Sequence, residues 1–291
     1  MSPEQVLQFV MSGITVGSIY GLVALGFALV FNATGIINFA QGQFVMLGGL
    51  LATTFTNTLG WPLAAAVVTA VLLTAAIGVA IEVIAIHPMR GRAVFTLIMI
   101  TLGVSIILES VALLLWGTDP IFLPSFSGDQ PLPFFGATLQ PQMLWVLGVA
   151  LLAMVGLQLF YRHTMLGQAM LACSINADAA ASVGIDPRRI VLLAFVLAAA
   201  LGALGGTLIA PITTTSYQVG LLMALKGFAA AIVGGMGSSL GAVLGGVALG
   251  LVESLGAGLV SSGYKDGIAL GVLVVFLILR PQGFLGERSA L

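Results

Sequence analysis

Charge is what this sequence has least of. Of its 291 residues, 7% are Asp, Glu, Lys or Arg, against 59% hydrophobic. A soluble domain carries roughly 25% charged residues. Nine basic and ten acidic side chains cannot coat a globule of this length with a solvated surface, so a soluble enzyme is excluded. A formal net charge of −1 argues against a nucleic-acid partner, which would want a basic face. Cys173 is the only cysteine, so internal disulfides and cysteine-based zinc or iron–sulfur sites are excluded. His87 and His163 have no acidic neighbour at ligand spacing, and no metal site is expected. No nucleophile–base arrangement suggests catalysis. No Lys or Arg precedes Arg90. The basic leader of a cleavable signal is missing, so the first apolar run is expected to persist as a helix.

What the chain does have is long apolar runs. A transmembrane helix needs ~20 mostly apolar residues. The runs are continuous rather than alternating, which disfavours a membrane β-barrel. Helices are favoured because each satisfies its own backbone hydrogen bonds in lipid. Spans are predicted at 8–31, 39–56, 62–86, 93–116, 142–161, 190–210, 222–236, 240–260 and 263–279. Pro62, Pro141, Pro187, Pro211 and Pro281 mark their edges. The second and seventh runs are short and Gly-rich, so each is either a full span or a broken, re-entrant helix. The expected fold class is all-α: a polytopic transmembrane bundle of about eight or nine segments, forming one domain over 1–291.

Basic residues set the expected orientation. Arg90 and Arg92 share one loop, Arg162, Arg188 and Arg189 another, and Arg280 and Arg288 the C-terminal tail. These are seven of the nine basic residues, and they predict a cytoplasmic C-terminus. Counting back places the N-terminus outside, provided that the short segments cross. The opposite loop, 117–141, carries Asp119 and Asp129 and no basic residue. Its five prolines (Pro120, Pro124, Pro131, Pro133, Pro141) disfavour regular helix. Phe122, Phe126, Phe134 and Phe135 suit a plug or rim. The inner loop 162–189 is rich in Ala and Leu but interrupted by polar residues, as expected of a short helix outside the bilayer.

Glycine recurs at a spacing of four, at Gly13, Gly17 and Gly21, Gly202 and Gly206, Gly241 and Gly245, and Gly246 and Gly250. Such spacing aligns small residues on one helix face, for packing within the bundle or against another membrane subunit. At the junction of the first two runs, Asn32, Asn38, Gln41 and Gln43 are costly facing lipid. They read either as a broken helix presenting amides to a substrate or as capping, with Asn38 the N-cap. The run 234–241 (Gly-Gly-Met-Gly-Ser-Ser-Leu-Gly) breaks the helix again. Upstream, 211–217 is polar and includes Thr213 and Ser216. Both suggest irregular backbone lining a cavity. The Gly-Lys-Ser/Thr ending of an ATP-binding loop is missing.

Four ionisable residues fall inside apolar runs: Glu82, Glu109, Lys226 and Glu253. Glu82 is close enough to a helix end to reach water. Lys226 is expected to pair with Glu109 or Glu253, as a structural pair or a substrate contact. No chain of Asp, Glu and His suggests a proton relay.

Three stretches carry a resemblance. Residues 36–44 (Ile-Ile-Asn-Phe-Ala-Gln-Gly-Gln-Phe) resemble the motif near the start of the H-type permease subunits of bacterial branched-chain amino acid ABC importers. Residues 167–186 resemble their cytoplasmic coupling segment. Residues 226–246, from Lys226 to Gly246, resemble their C-terminal glycine-rich signature, and the Arg-Pro-Gln-Gly-Phe at 280–284 also fits. The resemblance spans essentially the whole chain. It implies an inner-membrane permease partnered by an M-type permease, two ABC ATPases that bind ATP, and a periplasmic binding protein. No cofactor would sit in this chain. The substrate pathway would involve Asn32, Asn38, Gln41, Gln43, Thr213 and Ser216. Gly167, Ala172, Ala180, Ser182, Gly184 and Ile185 would meet an ATPase. Alternatives are a urea or short-amide permease, or a self-contained channel or secondary transporter.

Overall fold

The computed structural model describes residues 2–128, 130–134, 136–259, 263, 265–280 and 283–285. All nine apolar runs become helices: α1 (Pro3–Thr34), α2 (Gln41–Thr53), α3 (Leu63–Ile81), α4 (Val94–Trp116), α5 (Pro141–His163), α8 (Pro187–Thr213), α9 (Val219–Gly234), α10 (Ser239–Leu259) and α11 (Lys265–Leu279). Two shorter helices, α6 (Met165–Ile175) and α7 (Ala177–Ser182), fill the basic loop. π-helical turns prolong α2 over Thr54–Thr58 and α3 over Glu82–Ile86. Among the described residues six helices are long and apolar enough to cross a membrane; α2, α9 and α11 are shorter. Asp129, Phe135, Val260, Pro281 and Arg288, used in the predictions above, lie outside the described residues.

The boundaries follow local chemistry. Ser2 and Gln5 form a reciprocal capping box at the start of α1, and Gly35, at φ 70°, ends it. Thr164, Asn176 and Asp186 accept backbone N–H bonds that open α6, α7 and α8. Pro211, expected at an edge, instead sits inside the last turn of α8, which runs on to Thr213. A missing N–H is cheapest there, near a helix end.

Helix α1 is the axis, buried almost continuously from Gly13 to Val30. Its glycine face meets α10 antiparallel. A Cβ on Gly17 would stand 2.7 Å from the Gly246 carbonyl oxygen and from Val247 Cα, and one on Gly13 would stand 2.9 Å from Leu251 Cα. Gly202 and Gly206 seat α8 against α2 in the same way. The glycine spacing therefore packs this bundle internally, by close backbone approach.

One end of the bundle is basic. Arg90 Nη2 donates to the Arg188 carbonyl at 3.4 Å, and Gln168 Nε2 to the Arg162 carbonyl at 3.2 Å. Residues 283–285 join that end through Phe284 N–H to the Val233 carbonyl, 2.9 Å. The N-terminus lies at the other end, where Thr138 N–H donates to Gln8 Oε1 at 2.9 Å. That end is closed by the proline-rich loop. A hairpin, β1 (Leu132–Phe134) against β2 (Ala137–Leu139), follows a coil that buries Leu123 completely. Asn57 Nδ2 anchors the coil on the Phe122 carbonyl at 2.7 Å, and Ile121 bridges Thr215. The loop holds no helix among its described residues.

Candidate substrate pathway and coupling surface

Residues 35–40 turn back into the bundle before α2 begins, with Ile36, Asn38 and Ala40 at most 1% exposed. Helix α2 therefore starts in the interior. Gln41 Nε2 donates to the Ala198 carbonyl in mid-α8 at 3.0 Å, and the Gln41 amide lies over Gly26 of α1. Non-helical backbone at this depth survives because protein, not lipid, surrounds it. Asn38 is not the N-cap: its Oδ1 accepts from Ala40 N–H at 3.1 Å, and Ala40 opens α2 without a side-chain cap. On the opposite side of α2, Gln43 Nε2 donates to Ser105 Oγ at 2.9 Å.

Helix α9 begins at the same level. The chain comes in from Thr215, and a Cβ at Gly220 would collide with the Gln43 amide. Two half-length helices thus start together and run to opposite ends of the bundle. Before α9 the backbone passes through Thr214 at φ 64° and ψ 168°, a region costly for any residue but glycine.

The break gathers Asn38, Gln41 and Gln43. The other polar residues of the expected pathway lie elsewhere. Thr213 is exposed and donates to the Thr214 carbonyl at 3.2 Å, and Ser216 is half-buried where its carbonyl accepts from Val219 N–H. Asn32 is at the basic end. Its Nδ2 donates to the Gly237 carbonyl at 2.8 Å, beside a cavity of about 230 Å³ lined by Tyr161 and Met170.

Lys226 pairs with Glu253 at 2.9 Å, and also with Asp266 at 2.6 Å. Tyr20 bridges the pair, 3.1 Å from Lys226 Nζ and 3.1 Å from Glu253 Oε1. Four helices, α1, α9, α10 and α11, meet in this cluster. Glu109 of α4 takes no part in it. Glu82 does not reach water: it is 2% exposed, bonded to Arg90 and 3.7 Å from His87. Burial holds the Arg90 guanidinium below its ordinary pKa, against the opposing pull of Glu82. Among the described residues no three His, Cys, Asp or Glu side chains gather as a metal site.

The segment α6–α7 lies at the basic end. Met165, Ile175 and Val183 are 90%, 80% and 78% exposed. A groove of about 590 Å³ runs between α6 and the start of α8, lined by Leu166, Ala172, Gly184, Ile185 and Arg189. Ser182 is exposed as well, whereas Gly167 and Ala180 are buried. Gly167 packs on the end of α5 at Phe160. These two shape the segment from within.

Residues 9–277 match the family described as "Branched-chain amino acid transport system / permease component". The chain belongs to this permease family. Similar relatives include the high-affinity branched-chain amino acid transport system permease protein LivH of Escherichia coli K12. It is 33% identical over 97% of this chain and 96% of its own length. The permease protein BraD of Pseudomonas aeruginosa, named in the same terms, is also 33% identical, over 97% and 96%. Among solved structures, PsaBC from Streptococcus pneumoniae in complex with Fab shares the fold. The match has a TM-score of 0.51 over 94% of this chain and 92% of that one, at 16% identity.

Several residues of the permease that matter to the site were not singled out from sequence. Ser105 and Thr101 lie four apart on α4, and Thr101 Oγ1 accepts from Phe39 N–H at 3.2 Å. Their spacing puts them on one helix face, which was the available signal. Nothing in sequence tied that face to Gln43. Tyr20 and Asp266 carried no signal beyond residue type.

Proposed function

We propose that the permease is one of two membrane subunits of an ATP-driven importer of branched-chain or related amino acids in the bacterial inner membrane. Its companion is an M-type permease. Two ABC ATPases bind at the basic end, which is cytoplasmic and holds the C-terminus, and a periplasmic binding protein delivers substrate at the plugged end. The whole chain acts as one domain. ATP is bound by the ATPases, and this chain carries no cofactor. Substrate moves past the break at Asn38, Gln41 and Gln43, with Asn32, Thr213 and Ser216 further along the route.

The observation that carries the proposal is the exposed apolar surface of α6 and α7 at the end where the arginines gather. Positive charge marks the cytoplasmic side, and an apolar patch rimmed by charge marks a protein contact. Ala172, Ser182, Gly184 and Ile185 form the contact with Met165, Ile175 and Val183, while Gly167 and Ala180 hold the segment in shape. Closure of the ATPases then reaches the bundle through α6 and the start of α8.

Co-purification from detergent with co-expressed ATPase subunits tests this. Val183→Asp or Gly184→Trp should lower ATPase retention about tenfold or more, as expected of a central contact worth ~2 kcal/mol. Full retention with both variants contradicts the assignment.

A further inference from the structure

The place where α9 begins has donors and acceptors without partners. Gln218 opens α9 with no side-chain cap; Val219 N–H turns back to the Ser216 carbonyl, and the next N–H groups of the first turn are open. Against this terminus lies the Gln43 amide, 0% exposed, and its Oε1 has no hydrogen-bond donor among the described residues. The amide nitrogen of Gln43 is committed to Ser105 of α4. One helical turn beyond Ser105, on the edge of the same packed stripe that includes Ala112, stands Glu109. Tyr217, just ahead of α9, packs on the small apolar cluster that holds Ala112. Glu109 is half-buried, and its carboxylate makes no hydrogen bond or ion pair among the described residues.

A carboxylate inside an apolar span is costly unless a cation or water-filled space meets it. A helix N-terminus in a broken segment favours an anionic group. Opposite demands thus lie on either side of one glutamine. Leu221 and Leu222, 52% and 45% exposed, supply apolar surface in the first turn of α9.

We propose that this break, where α2 and α9 start, holds the zwitterionic head of the transported amino acid. The open N–H groups of α9 take its carboxylate, and Glu109 with Gln43 Oε1 takes its ammonium. The aliphatic side chain then lies along Leu221 and Leu222. This assignment rests on the transport function proposed above, and makes Glu109 a substrate-binding residue rather than a structural one.

The test is uptake of radiolabelled L-leucine by proteoliposomes holding the complete complex and its binding protein. Glu109→Gln and Glu109→Asp are compared with the unaltered chain, and subunit stoichiometry is measured for each. Loss of a charge-assisted contact should lower uptake per assembled complex roughly tenfold or more for E109Q. E109D should restore part of it. Uptake by E109Q at the unaltered rate overturns the proposal. So does loss of the second permease from the purified E109Q complex with uptake falling only in proportion, which would assign Glu109 to the subunit interface. If the unaltered complex takes up leucine without needing ATP, the transport reading itself fails and the site assignment falls with it.

Discussion

Lys226 and Glu253 form a buried ion pair, 2.9 Å apart, with side chains 9% and 1% exposed. Asp266 gives the lysine a second carboxylate at 2.6 Å. Removing one member of a buried pair leaves an uncompensated charge and costs about 3–5 kcal/mol, whereas replacing both with apolar groups is often neutral. Lys226→Met should therefore lower the apparent Tm of the purified chain markedly, and the double variant K226M/E253L should recover most of it. A single variant as stable as the unaltered chain would show that the pair does not hold α9 to α10.

The contact between α1 and α10 depends on absent side chains. Gly17→Val should abolish the monodisperse peak on size-exclusion chromatography, since no space exists for a Cβ beside Gly246 and Val247. Gly103 of α4 has nothing within 4 Å of a Cβ position. Gly103→Ala should keep the peak and gain about 0.5–1 kcal/mol of helix stability. Equal behaviour of the two variants would refute this account of the packing.

Thr214 adopts a backbone conformation that L-residues avoid, which costs of order 1–3 kcal/mol. Thr214→Gly should raise Tm by relieving it. If the strain also sets the start of α9, leucine uptake should fall in the same variant. An unchanged or lower Tm would show that the strain is absent in solution.

Cys173 is buried in α6, and burial pushes its thiol pKa up. The thiolate is the reactive form, so maleimide labelling should be slow at neutral pH. Its rate should still be rising with pH after that of an exposed thiol has levelled. Ser174→Cys in a C173A background supplies that comparison, because Ser174 is exposed. Similar rates and pH dependence at both positions would contradict the packing of α6 on the bundle.

The nine long helices were legible because apolar runs, prolines and glycines are local signals; the division of the basic loop into α6 and α7 and the run of α8 past Pro211 were not. The break before α2 was legible as a cluster of amides at 32–43. The partners of those amides were not, because they depend on the register between distant helices. Gln43 meets Ser105 across 62 residues, and Tyr20 meets Glu253 across 233. Glu82 was misjudged for a related reason. Its distance from the helix end suggested water, but the chain folds Arg90 back over it. The residues proposed for coupling divide along similar lines: Gly167 and Ala180 pack inward, whereas Gly184 is exposed at a turn with φ 91°.

The central claim is that this chain moves its substrate only with energy borrowed through α6 and α7. Leucine uptake into proteoliposomes containing the complete complex, with ATP or a non-hydrolysable analogue, tests it most directly. The account predicts uptake with ATP alone, and its loss when Val183→Asp uncouples the ATPases. Uptake of equal rate with the analogue, or by this chain without any ATPase, would contradict it.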